Sequence, residues 1–321
     1  MINFLQQLSH SKNLLAFSGG IDSTALFFIL LAQNIKFDII IVDYGLREQS
    51  KDEVAYAQKL CKLYNKKCFV KEFPIGNKFN EKLARDFRYS FFEKIIKQYN
   101  YQNLLTGHQL NDKFEWFLMQ MSKGAGLSEL IGLQEKEERN SYTLIRPLLH
   151  HTKQELQEYL NDKKIKYFVD QSNFDHKYKR NEIRHTISDN FLKQYGSGVK
   201  KSFEYLEKDK NSLFETTQFY ELEELKIFDF IGDDNLIIRI IDKELKLRGI
   251  LISSATRDEI LSQREIMISD KIAIAITDTQ IWIAPKCDET MPKDFKEKCR
   301  INKIPKNMRS YLFMIDFFLL N

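Results

Sequence analysis

Cysteine is scarce in this chain, and its few residues carry no pattern. Cys61, Cys68, Cys287 and Cys299 form no CxxC pair, and no histidine completes a zinc-like spacing. Four reduced thiols, some of them filling cores, are expected in place of a disulfide framework, a structural zinc or a redox centre. Long apolar runs are also missing. The longest, Ala25 to Ala32, falls far short of the roughly 20 residues that cross a bilayer as a helix. The first residues, MINFLQQLSHSKNLLAF, lack the basic stretch and unbroken apolar core of a signal peptide. No large excess of one charge exists either: the net charge is +4, which fits a nucleic-acid partner without demanding one. Repeats and low-complexity segments are absent. A soluble cytoplasmic protein without membrane contact is expected.

What is present is ordinary globular material, 43% hydrophobic and 29% charged over 321 residues, enough for two domains with substantial cores. The first half alternates short apolar runs with longer amphipathic ones. Strands are expected at Leu14–Phe17, Phe37–Val42, Cys68–Phe73, Asn103–Gly107 and Thr143–Leu149. Helices are expected at Ile21–Gln33, Lys51–Asn65, Phe79–Tyr99, Leu110–Ser122 and Lys153–Lys163, with a glycine-bearing loop at Gly124, Gly126 and Gly132. This alternation predicts an α/β fold: a doubly wound parallel sheet with its ligand site at the carboxyl ends of the strands. From about Lys200 the pattern turns mainly helical, with a hairpin over Lys271–Pro285 turning near Asp278. The expected domains are 1–199, catalytic; 200–286, smaller; and 287–321, a basic tail containing KCRINKIPKNMR.

The most informative segment is Ser18-Gly19-Gly20-Ile21-Asp22-Ser23, between a buried strand and a helix. Adjacent glycines let the backbone turn sharply and present N–H groups without side chains in the way. Two serine hydroxyls and the positive end of a helix complete a cradle of phosphate size. Asp22 suits the helix start and can help hold magnesium. Neither GxxxxGK[ST] nor a strand-following GxGxxG is present, so the common rival phosphate loops are absent.

The SGGxDS string resembles the pyrophosphate loop of the N-type ATP pyrophosphatases, which cut ATP between the α and β phosphates. Further strings narrow the resemblance: Asp43-Tyr44-Gly45-Leu46-Arg47, Ala84-Arg85-Asp86-Phe87-Arg88-Tyr89, and Thr106-Gly107-His108-Gln109-Leu110-Asn111-Asp112-Lys113-Phe114-Glu115. Arg146-Pro147-Leu148, Asp170-Gln171-Ser172-Asn173 and Arg180-Asn181-Glu182-Ile183-Arg184 follow. In this order the strings resemble the tRNA(Ile)-lysidine synthase family, and Leu247–Pro285 is similar to the small C-terminal domain of its shorter members. The resemblance implies ATP and Mg2+, free L-lysine, and a tRNA(Ile) with a CAU anticodon. It implies that lysine's side-chain amine joins C2 of the wobble cytidine through an adenylate. It also allows a homodimer.

Asp112 and Glu115 stand three apart at a helix start, so their carboxylates project to one side. Such a pair can share magnesium, orient an ammonium or take its proton. Whether Asp22, Asp112, Glu115 or mainly phosphates hold the metal is left open by the residues. His108 precedes the pair and can contact phosphate or base. Arg88 and Arg180 match family positions at the target nucleotide and reaction centre, where a planar charged fork is useful. Arg184 extends a basic stripe with Lys177, Lys179 and Arg180. The family pattern usually has histidine at Gln109 and often at Tyr44, arginine at Lys123 and glycine at Glu129. Lys113 and Trp116 also depart from it. A tRNA thiolase of the 2-thiocytidine type is the nearest rival enzyme, but the cysteines it uses are missing here. A synthetase acting on a small molecule and a non-catalytic tRNA- or nucleotide-binding module are further alternatives.

Overall fold

The computed structural model describes residues 5–45, 48–73, 81–169, 179–214, 219–230 and 233–320. Leu46, Arg47, the Asp170–Asn173 string and Lys177 lie outside them, as does the expected helix start at Phe79. The chain divides into two compact units, Met1–Glu207 and Lys208–Asn321.

The first unit opens with α1 (Leu5–Ser9), β1 (Asn13–Ala16), α2 (Ile21–Ala32), β2 (Phe37–Asp43), α3 (Glu48–Leu63) and β3 (Cys68–Glu72). It continues with α4 (Glu81–Tyr99), β4 (Asn103–Leu105), α5 (Leu110–Met121), α6 (Leu127–Leu130), β5 (Lys136–Arg139) and β6 (Tyr142–Ile145). Then come α7 (Lys153–Asp162), α8 (Lys179–Ile183), a π-helical turn (Arg184–Ser188) and α9 (Asp189–Phe214), the last running past the unit boundary.

The six strands order as β3-β2-β1-β4-β6-β5. All neighbours are parallel except β5 on β6. Both faces of the sheet are covered, which is why its strands are nearly continuous apolar runs. Leu15, Ile39, Ile41 and Leu105 face one core with Leu26, Phe27 and Leu30 of α2. Leu14, Ile40 and Leu104 face the other, with Phe91, Phe92, Ile95 and Ile96 of α4. Strand order reverses between β1 and β4, so the loops leaving these two strands flank the crevice where doubly wound folds bind ligands.

The expected glycine-bearing loop contains one element and is followed by another. Gly126 precedes the single turn α6, and β5 forms a charged antiparallel edge. Such an edge resists further strand pairing.

Within the second unit, β7 (Phe219–Leu222), β8 (Leu225–Asp229), β9 (Glu265–Ile268), β10 (Ile272–Ile276) and β11 (Gln280–Pro285) form an antiparallel sheet ordered β7-β8-β11-β10-β9. Its helices are α10 (Asp234–Leu247), α11 (Ser254–Gln263), α12 (Lys293–Ile301), a 3-10 turn (Lys306–Met308), α13 (Arg309–Met314) and α14 (Phe317–Leu320). β10 and β11 are the expected hairpin, with Asp278 in the turn.

In β10 the alternation is large against small rather than apolar against polar, and in β11 Trp282 shares the face of the alanines. Ile272, Ile274, Ile276, Ile281 and Ile283 face α10 and α11, whereas Ala273, Ala275 and Ala284 face Cys299, Met308 and Leu312. The small alanines let that second layer approach closely. Residues 287–321, expected as a basic tail, thus include helices packed on the sheet. Arg309 is bound to the carbonyl of Ile304 at 2.8 and 3.0 Å, and Arg300 to Glu297 at 2.6 Å. Among the described residues, no helix is long and apolar enough to cross a membrane.

Candidate active site

The loop after β1 is held open by its own hydroxyls. Ser18 N–H donates to Ser23 Oγ at 3.1 Å, the two serine hydroxyls lie 3.1 Å apart, and Ser23 Oγ donates to Gly20 O at 3.3 Å. Gly19 sits at φ +76°, in the left-handed region that glycine occupies without strain. Its carbonyl accepts the N–H of Phe168 at 2.9 Å, so the segment after α7 buttresses the loop. Gly20 N-caps α2 in extended conformation without a side-chain cap. The first amides of α2, at Ile21, Asp22 and Ser23, therefore have no partner within the helix and suit an anion.

Asp22 follows directly. Its Oδ1 is buried and has no hydrogen-bond partner among the described residues. Burial, reinforced by the nearby Asp112 carboxylate, raises its pKa to about 7, against partial relief from Lys153 and Arg184. An unpartnered buried carboxylate oxygen beside a phosphate-sized cradle is what a hard cation needs. No three His, Cys, Asp or Glu side chains gather into a metal cage among the described residues. The donor set therefore fits magnesium held by one or two carboxylates and phosphate oxygens.

The loop after β4 comes within contact of this one. A Cβ added at Gly107 would lie 3.0 Å from Asp22 C and from Ser23 N, so only glycine lets the two loops meet undisturbed. His108 follows, with Thr106 Oγ1 at 2.9 Å from its Nδ1. Burial lowers the His108 pKa to about 4. Asp112 opposes the shift, while Arg146, Arg180 and Arg88 add to it. The ring is neutral at physiological pH.

Gln109, where the family usually has histidine, caps α5. Its Oε1 accepts Asn111 N–H at 2.5 Å, and its own N–H donates to Asp112 Oδ2 at 3.0 Å. This reciprocal box fixes Asp112 on the first turn.

Asp112 and Glu115 do face one side of α5, and both arginines of the Arg180–Arg184 string meet them. Arg180 Nη2 donates to Asp112 Oδ1 at 2.6 Å and its Nε to Glu115 Oε2 at 2.7 Å. Arg184 Nε donates to Glu115 Oε1 at 2.7 Å and its Nη2 to Oε2 at 3.0 Å. Burial works against both arginine charges, but the carboxylates outweigh it and raise their pKa values. The members are unequally accessible. Glu115 has no exposed surface, while the Arg180 side chain is 45% exposed.

Arg88 lies on α4 and reaches Tyr44, whose phenol is hydrogen-bonded to it, and its charge extends to His108. Arg85 instead lies over the Tyr89 ring, 4.9 Å from its centroid. Arg146 is buried and ties Gln134 O (2.7 Å) to Glu137 (2.9 Å), a structural task. Trp116 donates from Nε1 to Glu129 O at 2.8 Å, and its indole fills the space a Cβ on Gly132 would take. Two departures from the family pattern, Trp116 and Glu129, thus touch each other. Glu129 contributes only its backbone carbonyl to this bond. Phe168 and Lys153 also bear on the site, and no motif in the sequence marks them.

A family model of the PP-loop domain matches residues 1–191. The tRNA(Ile)-lysidine synthase of Campylobacter jejuni is 43% identical over 310 residues, 96% of this chain and 94% of that protein. The enzyme of the same name from Helicobacter pylori is 40% identical over 313 residues, 96% and 91% of the two chains. This chain belongs to the tRNA(Ile)-lysidine synthase family.

Among solved structures, the U34-tRNA thiolase NcsA from Methanococcus maripaludis, described with its 4Fe-4S cluster, aligns with TM-score 0.52 at 18% identity. It covers 64% of this chain and 75% of that one, a likeness of fold alone. Cys61 and Cys68 do not extend the likeness to its chemistry. They sit on α3 and at the first residue of β3, at the opposite end of the sheet from the loops that build the site.

Proposed function

We propose that this lysidine synthase family member ligates free lysine to C2 of the wobble cytidine of a tRNA(Ile) bearing a CAU anticodon, with ATP as the activating substrate. The observation that carries the reading is the meeting of two loops at the strand-order reversal. One is an anion cradle with an unpartnered carboxylate oxygen; the other leads into a carboxylate pair held by two arginines.

ATP phosphates occupy the Ser18–Ser23 cradle, where backbone amides and hydroxyls take their charge. Asp22 and Asp112, together with phosphate oxygens, would hold magnesium, which would supply charge neutralisation for the departing pyrophosphate. The C2 oxygen of the cytidine attacks the α-phosphorus, and the bond to the β-phosphate oxygen breaks. Lysine's amine then forms the bond to C2, and AMP leaves with the oxygen. The amine must lose protons on the way, and Asp112 is placed to orient the ammonium and accept one.

An incoming ammonium competes with Arg180 for Asp112. Arg180, thus displaced, turns its charge to the adenylate phosphate. His108 meets phosphate or base as a neutral imidazole, and Arg88 with Tyr44 contacts the target nucleotide.

The reaction requires cleavage of ATP between the α and β phosphates. Purified protein with ATP, Mg2+, lysine and tRNA(Ile) transcript is expected to release AMP and pyrophosphate in equal amounts. Release of ADP and phosphate would overturn the proposed reaction.

A further inference from the structure

Arg184 has a different task from Arg180, although the two stand one helical turn apart and meet the same carboxylate. Its fork takes Glu115 through both oxygens, at 2.7 and 3.0 Å, in the planar two-bond geometry special to arginine. Its nearest approach to Asp112 is 3.9 Å, outside hydrogen-bond distance. It is shielded, with a side chain 13% exposed against 45% for Arg180. It also opens the π-helical turn Arg184–Ser188, the break in helix geometry between α8 and α9. Such turns are rare and concentrate at functional sites.

Glu115 in turn touches Arg180 Nε, and Arg180 touches Asp112. The contacts form a chain running outward: Arg184, Glu115, Arg180, Asp112. With no exposed surface and both oxygens engaged, Glu115 stands behind the groups that can reach substrate.

We propose that Arg184 is a positioning residue that locks the buried Glu115 carboxylate, and that Glu115 thereby aims Arg180 and Asp112 at the reacting groups. This division of roles rests on the function proposed above. It moves Glu115 from direct contact with substrate to orientation of the residues that make it.

A double-mutant cycle of Arg184→Gln and Glu115→Gln tests it, read on both lysine transfer and tRNA-dependent pyrophosphate release. Each single variant is expected to lower kcat by roughly 10- to 100-fold, the scale on which loss of an orienting partner acts. KM for ATP should stay within about twofold of wild type, because the phosphate cradle is untouched. The double variant should be no slower than the slower single one, since both changes break the same link.

Losses that multiply would show Arg184 acting independently of Glu115 and overturn the proposal. Arg184→Lys guards against misfolding, because it keeps the charge but not the fork. It is expected to keep the wild-type melting temperature and lose most of the rate; full activity would overturn the proposal. A wild-type protein that releases pyrophosphate but transfers no lysine would refute the proposed function instead. The cycle on pyrophosphate release would still decide the role of Arg184.

Discussion

Gly107 lies against the backbone of Ser23, so close that a Cβ there would stand 3.0 Å from the Ser23 nitrogen. Two loops that leave neighbouring strands are thereby joined at one glycine. Replacement by alanine forces α2 and the His108 loop apart by a few tenths of an ångström. Overpacking of this kind costs about 1–3 kcal/mol. The displaced amides are the ones assigned to phosphate. Gly107→Ala is expected to raise KM for ATP by roughly tenfold, equivalent to about 1.4 kcal/mol of lost binding. Steady-state pyrophosphate release measures it.

A second expectation concerns pH. The Asp22 pKa is raised from 3.8 to about 7 on folding, so the folded state holds its proton more tightly. The associated stability is fully present below about 3.8 and lost as pH rises through 7. The His108 pKa is lowered from 6.5 to about 4, so its contribution has the opposite sense: present above 6.5 and lost as pH falls through 4. Asp22→Asn is therefore expected to raise the melting temperature at pH 8 by several degrees and to change it little at pH 4. His108→Asn should remove a loss of stability between pH 6.5 and pH 4. Thermal melts across this range read both signs.

Lys113 gives a third, asymmetric expectation. It is buried on α5, paired with the partly exposed Glu207 of α9, and lies 4.8 Å from the centroid of the Phe203 ring. Glu207→Gln strands a buried ammonium and is expected to cost about 3–5 kcal/mol. Lys113→Met leaves Glu207 able to reach water and fills the same space with apolar atoms, so its cost should stay under about 1 kcal/mol. Chemical denaturation of the two variants compares them.

Much of this architecture is legible in the sequence itself. The β1–loop–α2 unit, the parallel sheet and the Asp112–Glu115 pair announce themselves because each is written in contiguous residues. The features that escape a sequence reading are spread across the chain or run against the usual signals. The β7–β8 hairpin turns at Glu223, which adopts φ +53°, with Glu224 beside it. No glycine, asparagine or aspartate marks that turn. β5 is a run of charges whose strand character comes only from pairing with β6. Arg184 reads as one member of a surface stripe, because nothing local reveals that its fork closes on a carboxylate 69 positions earlier. Phe168 buttresses Gly19 from 149 positions away, again without a local mark.

Asp112 separates catalysis from binding. Asp112→Asn keeps the volume of the residue but turns one of its two acceptor oxygens into a donor, and it cannot accept a proton. It is expected to lower lysine transfer by about 100-fold or more, the usual scale for a general base. Binding of tRNA should stay within about threefold of wild type in a filter assay. Unchanged transfer would remove Asp112 from the reaction.

In the proposed reaction lysine itself is the nucleophile and the CAU-bearing tRNA(Ile) its acceptor. Radiolabelled lysine, ATP and Mg2+ are incubated with the protein and either that transcript or the CAU-bearing initiator tRNA(Met). Label is expected in the first tRNA alone, dependent on ATP. Pyrophosphate release with tRNA(Ile) but no label in it would rule out lysine and point to a different nucleophile on the same adenylating scaffold.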